Sequence, residues 1–225
     1  MPSMTQASLH YLPGHAAGIP TGIPLSGLDP ALLSEDLLTP SGERIRLRAI
    51  DPADRAALRE DLFLKLGSES LRNRFFCAKR DLGPGELSRL CRVDFRQHVA
   101  IVVEIAHGNG WRMIAVGRFV RTEGNPRSAE FAITVQDHFQ GRGIGRLLFE
   151  RLVRYARLLG VTRLEGTLLN GNRRMHSLLC EAGLPGRSRR SGETICWSLE
   201  LDSITPQPTD RPQPESSHIE EASIA

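Results

Sequence analysis

Three glycines in five residues, within Gln140-Gly-Arg-Gly-Ile-Gly145, form the segment of this chain best equipped for chemistry. Glycine lets a backbone come close to a ligand and turn several N–H groups toward one point. A helix beginning at Ile144 would add the unpaired donors of its first turn and the positive end of its dipole. Together these features describe a pyrophosphate site. Arg142 and Arg146 add charge-assisted contacts to the same phosphates, or to a third one on the ligand. Gln140, Gly141, Arg142, Gly143, Ile144, Gly145 and Arg146 are therefore candidate binding residues. A Walker loop would need Gly-Lys-Ser/Thr at its end, yet the nearest lysine is Lys79. A dinucleotide loop would need G-x-G-x-x-G at the strand tip, and an acid about 20 residues on. Here the spacing is G-x-G-x-G, Glu165 falls within a strand, and too little chain follows Leu168 to complete such a fold.

Other reactive side chains are sparse. Cys77, Cys91, Cys180 and Cys196 stand alone, without Cys-x-x-Cys or Cys/His spacing, so neither a structural zinc site nor a disulfide framework is expected. No metal is expected. Glu130 lies on the apolar stretch that leads into the loop, where alternation puts it on one face with Ala132 and Thr134, opposite Phe131, Ile133 and Val135.

The elements that must position these residues follow from periodicity. Arg44–Ile50 alternates Ile45, Leu47 and Ala49 against three arginines, a half-buried strand. Asp51-Pro52 caps a helical run to about Lys65, followed by helical patches at Ser68–Phe76 and after Gly83-Pro84-Gly85. Two apolar strands joined at Gly108-Asn109-Gly110 make a hairpin. After a break at Gly124-Asn125-Pro126 come strand Ala129–Val135 and a helix over 144–159 ended by Gly160. Strand Arg163–Leu168, helix Asn172–Ala182, a short strand near Arg187–Arg190 and strand Thr194–Leu201 complete the order. The expected fold is a mixed α/β (α+β) domain with a largely antiparallel central sheet flanked by helices.

Prolines concentrate at the ends, six in residues 1–43 and four in 202–225. The expected organisation is therefore a flexible acidic tail (1–43), one domain (44–201) and a second flexible acidic tail (202–225). Within the first tail, Leu28–Leu38 could form a short amphipathic helix docked on the domain. Each tail carries −4, so the overall +3 leaves about +11 on the domain. That suits a polyanionic partner. Nucleic acid is a weak candidate, because aromatic platforms and a reading motif are lacking and the arginines are dispersed. No run of about 18 apolar residues exists, so no membrane helix is expected. The first twenty residues hold no Lys or Arg, unlike a secretory signal, and a cytoplasmic address is the default expectation. Oligomeric state cannot be read from the sequence.

Val135–Gly145 resembles the acyl-CoA pyrophosphate loop of the GNAT superfamily of N-acetyltransferases, and Asn172–Leu184 is similar to that family's next motif, an Asn followed eleven residues later by Gly. The resemblance spans roughly Arg44–Leu201. Leu66-Gly-Ser-Glu-Ser-Leu-Arg-Asn-Arg-Phe-Phe76, Val93-Asp94-Phe95 and Ala129-Glu130-Phe131-Ala132 are more closely similar to the acetyltransferase domain of bacterial protein-lysine acetyltransferases. In that group the domain is often fused to a cyclic-nucleotide-binding or acyl-CoA-synthetase-like domain, and the 43 residues before Arg44 are too few for either. The resemblance implies transfer of an acetyl group from acetyl-CoA, as co-substrate, to an amine, foremost a protein lysine side chain. A small-molecule amine, or a non-catalytic acyl-CoA-binding regulator, are the alternatives. It further implies that backbone groups at Ile133 and Val135 pair with the pantetheine arm, that Glu130 in a partly dry cleft is the general base, and that Asn172 makes a bond on the cofactor side or caps its helix. His98 and His138 are weaker base candidates. Where many GNAT enzymes carry a general-acid Tyr, this chain has Leu179. A thiol of pKa about 8.5 leaves without strong acid help.

Overall fold

The computed structural model describes His10–Tyr11 and residues 29–201. Among the described residues, nine strands form one sheet: β1 His10–Tyr11, β2 Glu35–Leu38, β3 Arg44–Ala49, β4 His98–His107, β5 Gly110–Thr122, β6 Asn125–Val135, β7 Arg163–Leu169, β8 Gly186–Ser191 and β9 Thr194–Glu200. Their order is β1-β2-β3-β4-β5-β6-β7-β9-β8. Every neighbouring pair is antiparallel except β6 and β7. The mixed, largely antiparallel sheet expected from the sequence is the one observed.

Both faces of the sheet centre are covered, which explains the unbroken apolar texture of β4. Val99, Ile101 and Val103 join one core with α4 (Ile144–Leu158) and α5 (Arg173–Glu181). Ala100 and Val102 join a second core on the opposite face, under Leu58, Leu62, Phe63 and Leu87. That second layer contains α2 (Ser68–Phe75), α3 (Pro84–Cys91) and, before them, a helical run broken into a 3₁₀ turn Pro52–Asp54, α1 Arg55–Ala57, a π turn Leu58–Leu62 and a 3₁₀ turn Phe63–Lys65. The sequence predicts a plain helix there. Its widened turn has a partner: the Asp61 carbonyl accepts from the buried amide of Gln136, which lies between β6 and the glycine loop.

One turn differs in detail from expectation. Gly124, with φ +74°, closes a tight β5–β6 turn, so β6 starts at Asn125 and Gly124-Pro126 is a hairpin rather than a break. The register shifts between Arg121 and Thr122, the kind of irregularity that tolerates Pro126 without a ladder N–H.

The larger correction concerns the N-terminal stretch. Residues 29–43 are not a tail beside the domain, and the described part of the expected 28–38 helix, 29–38, is not helical in that way. Pro30–Leu33 is a 3₁₀ turn capped by Asp29, and β2 pairs with β3 from Glu35↔Leu47 to Leu38↔Arg44. Leu33 and Leu37 are 1% and 2% exposed in the main core. Arg151 of α4 grips Glu35 through two bonds of 2.7 and 2.8 Å, and the Tyr155 hydroxyl donates to the Leu32 carbonyl at 3.2 Å. Local periodicity favoured a helix, but β3 offers an open edge whose backbone groups need partners. Stretches 1–9, 12–28 and 202–225 lie outside the described residues.

Leu37→Ala should cost about 2–5 kcal/mol, the range for truncating a buried leucine. Denaturant unfolding checks it, and an unchanged midpoint would show that β2 is no part of the core.

Much of the positive charge is neutralised inside the fold. Arg46 and Arg48 both donate to Glu104, which is 5% exposed, with closest bonds of 2.6 Å, and Arg48 also reaches Asp54 at 2.7 Å. The domain's +11 is therefore less available to partners than its count suggests.

Candidate active site

After β6 the chain makes a 3₁₀ turn, Asp137–Phe139, then the glycine segment, then α4. Gly141 and Gly143 have φ of +74° and +85°, a region that favours glycine because it has no Cβ. Gly143 is the N-cap of α4 and no side chain caps that end. The first-turn N–H groups of a fifteen-residue helix are thus presented at the loop. At Gly145 an added Cβ would lie 3.4 Å from Leu178 of α5 and 3.9 Å from Val135, ordinary van der Waals contact, so strand and helices approach closely here. Ile144 is buried, leaving only its backbone for a ligand.

The polar side chains of the loop are largely occupied in bracing it. Gln140 donates to the Val135 carbonyl at 2.9 Å and the Ser70 hydroxyl at 3.0 Å, and accepts from Arg174 of α5. Asp137 accepts from the Ser70 hydroxyl at 2.6 Å and the Gly67 N–H at 2.8 Å, so the loop is pinned to the start of α2. Arg142 lies 3.3 Å from Glu43 and stacks on Phe139 at 5.2 Å, while Arg146 pairs with Glu150 on the helix surface at 2.9 Å. His138 is exposed and 3.3 Å from Arg142. Sequence reasoning missed Ser70 and Glu43, because nothing local marks residues that meet the loop from 70 and 99 positions away, and Asp137, because the groups it binds lie equally far off in sequence.

β6 and β7 hold together over three pairs only, Ser128↔Arg163, Ala129↔Leu164 and Glu130↔Glu165. Beyond Glu130 the two strands part, and residues 131–135 have no β7 ladder partner. Phe131 fills the base of the wedge: a Cβ at Gly166 would sit 2.6 Å from its ring. Ile133 and Val135 pack partly into the main core, so their side chains are committed while their backbone borders the wedge.

Glu130 pairs with Val120 on β5, beside Arg118↔Ala132 and Val116↔Thr134. It therefore shares the second-core face with Ala132 and Thr134, as alternation requires. The partly dry cleft expected around it is not found, since Glu130 is exposed, with Glu165 beside it across the parallel pair. Arg74 of α2 supplies positive charge nearby: burial lowers its pKa, and the Glu130 and Glu86 carboxylates oppose that shift. His98 is a poor base. Burial, and then the charge of Arg118, push its pKa down to about 4, and its Nε2 lies 3.3 Å from Arg118.

Asn172 caps α5, its side chain accepting from the Met175 N–H at 3.2 Å. Leu179 is 2% exposed within the main core. Cys180 is exposed, 3.7 Å from His176. Among the described residues, no helix is long and apolar enough to cross a membrane.

Residues 44–184 match the family model of the acetyltransferase (GNAT) domain. The chain is 34% identical over 144 residues to acetyltransferase Pat of Mycolicibacterium smegmatis, a match covering 64% of this chain and 42% of that protein. It is 28% identical over 149 residues to a Pseudomonas aeruginosa acetyltransferase, covering 65% of this chain and 77% of that one. Among solved structures, the GNAT domain of S. lividans PAT superposes with a TM-score of 0.69 at 26% identity, over 77% of this chain and all of that domain. A cAMP-binding acyltransferase from Mycobacterium smegmatis gives 0.52 at 27% identity, over 78% of this chain and 49% of its own. The chain thus spans less than half the length of these mycobacterial relatives. Its glycine loop, its parted strands and the family match over 44–184 agree: the chain belongs to the GNAT acetyltransferase family.

Proposed function

We propose that this chain transfers an acetyl group from acetyl-CoA to an amine, with a protein lysine side chain as the preferred acceptor. The observation that carries the reading is the wedge between β6 and β7, which opens directly beside an uncapped helix start and has Glu130 at its apex. Backbone N–H groups at 141–146 hold the pyrophosphate, and the free edge at Ile133 and Val135 pairs with the pantetheine amides as an added strand would. Gln140 serves by bracing the loop, and Arg142 and Arg146 turn to the phosphates by exchanging their present carboxylate partners. Asn172 offers its amide N–H groups while its oxygen keeps the cap.

The chemistry is direct attack. A lysine amine has a reference pKa of about 10.4, so a base must take its proton. Glu130 accepts that proton, directly or through one water. The C–N bond forms at the thioester carbonyl, a backbone N–H of β6 polarises the oxygen, and the C–S bond breaks to release CoA thiolate. Free thiol release over a panel of small amines and lysine peptides tests the proposal, and lysine peptides should give the largest rates.

A second reading has one observation in its favour. Leu179 is buried in the core where many family members place a general-acid Tyr, which suits a protein that binds acyl-CoA without turning it over. Tight CoA binding with no thiol release from any amine would select it.

Glu43 competes with phosphate for Arg142. The pair is partly exposed, so it contributes weakly, and Glu43→Gln should lower the KM for acetyl-CoA about two- to fivefold at low salt. An unchanged or raised KM would mean that Arg142 keeps its carboxylate while CoA is bound.

A further inference from the structure

Arg118 is 6% exposed and, among the described residues, has no carboxylate within ion-pair distance. Its Nη1 donates to the Leu90 carbonyl at 3.1 Å and faces His98 Nε2 at 3.3 Å. Neither group brings a negative charge, because His98 is held neutral. A guanidinium buried beside neutral acceptors alone is poorly compensated. A second guanidinium makes the imbalance worse. Arg74 lines the same pocket and lies 5.1 Å over the Phe75 ring; the Glu130 and Glu86 carboxylates attract it, but neither comes within ion-pair distance. Each of the two arginines is also shifted downward by burial, and Arg118 further by the charge of Arg74.

The surroundings say what kind of anion fits. Phe63, Phe75, Leu62, Leu90, Val116 and Thr134 wall the pocket. Room for water-sized groups amounts to about 30 Å³, against about 10–15 Å³ for one such group. That matches the two oxygens of a carboxylate and is small for a phosphate with its substituents. Guanidinium groups bind carboxylates through paired, charge-assisted hydrogen bonds. The location matters as much. Arg118 pairs with Ala132, midway between Glu130 and Thr134, so the pocket lies two residue steps, about 6.6 Å along the strand, from the proposed base on one side and from Thr134 near the strand end flanking the wedge on the other.

We propose that Arg118 and Arg74 form a carboxylate subsite beside the transfer centre, so that one of the two reactants carries a carboxylate. This rests on the acyl-transfer reading above. The carboxylate belongs either to the acyl donor, as a dicarboxylic acyl-CoA, or to the amine acceptor. In both cases the reaction is unchanged: the C–N bond forms, the C–S bond breaks, and CoA leaves with the amine proton passed to Glu130. The paired positive charges also disfavour an ammonium ion nearby, which helps keep the attacking amine neutral.

The subsite is tested on the full chain with Arg74→Gln, a change at a partly buried position, and Arg118→Lys, which keeps the charge but not the fork. Succinate should raise the Tm of the wild type above a chloride control of equal ionic strength, and both variants should lose that increment. Kinetics then identify the source. If the donor carries the carboxylate, the ratio of kcat/KM for succinyl-CoA over acetyl-CoA drops about tenfold or more in Arg74→Gln. If the acceptor does, the same drop appears for an ω-amino acid against the alkylamine of equal length. No succinate-specific stabilisation, or both ratios staying within twofold of wild type in both variants, overturns the subsite. Succinate stabilisation without thiol release from any donor and amine supports the subsite and overturns the transfer reading instead.

Discussion

Gly143→Asp should abolish CoA binding, raising the dissociation constant at least about a hundredfold in calorimetry. Two effects add. The position has φ +85°, where an L-residue costs about 1–2 kcal/mol. The new carboxylate would also stand at the open helix start, where the loop is to hold phosphates, and like charges at that distance repel. Gly143→Ala separates the two, since it carries the backbone strain without the charge, and it should weaken binding by about tenfold or less. Because both variants carry the same backbone strain in the folded state, their Tm should fall together by about 2–8 °C, so that only the charge distinguishes them. Normal CoA affinity in Gly143→Asp would remove this loop from the binding site.

Glu130→Gln should lower kcat by about 10²–10³, within the usual range for losing a general base, while CoA affinity stays as in the wild type. The amide is nearly isosteric and the side chain is exposed, so the fold has little at stake. The discriminating readout is the pH profile. Wild-type kcat/KM should show a limb set by the base, and the variant should lose that limb, following the ionisation of the amine alone. Equal rates and equal profiles would place the proton acceptor elsewhere. An inactive wild type that still binds CoA would instead support the regulatory reading.

How much was legible depended on whether a signal was local. The glycine loop could be read because the conformations at Gly141 and Gly143, and the helix that follows, are specified within six residues. β4 and β5 could be read because a tight turn at Gly108-Asn109 joins two apolar runs. β2 was misread for the opposite reason. Its four residues make sense only against β3 and under α4, where Leu37 is buried and Glu35 meets Arg151. Pro30 and its neighbours gave the stretch the composition of a linker. The face around Glu130 was half legible. Alternation assigned the correct side, yet its exposure and the two arginines nearby depend on where α2 and β5 bring residues 74 and 118. No spacing in the sequence relates those two positions to residue 130.

The three-rung seam between β6 and β7 also has a mechanical meaning. The sheet is in effect two plates, β1 to β6 and β7 with β9 and β8, joined by three backbone pairs at one end and by α4 behind. A ligand that lies in the gap as an extra strand would bond to the free edge and stitch the plates together. Its binding energy would then add to the cohesion between them, so that ligand-free and ligand-bound chains differ less in shape than in how independently their two halves open.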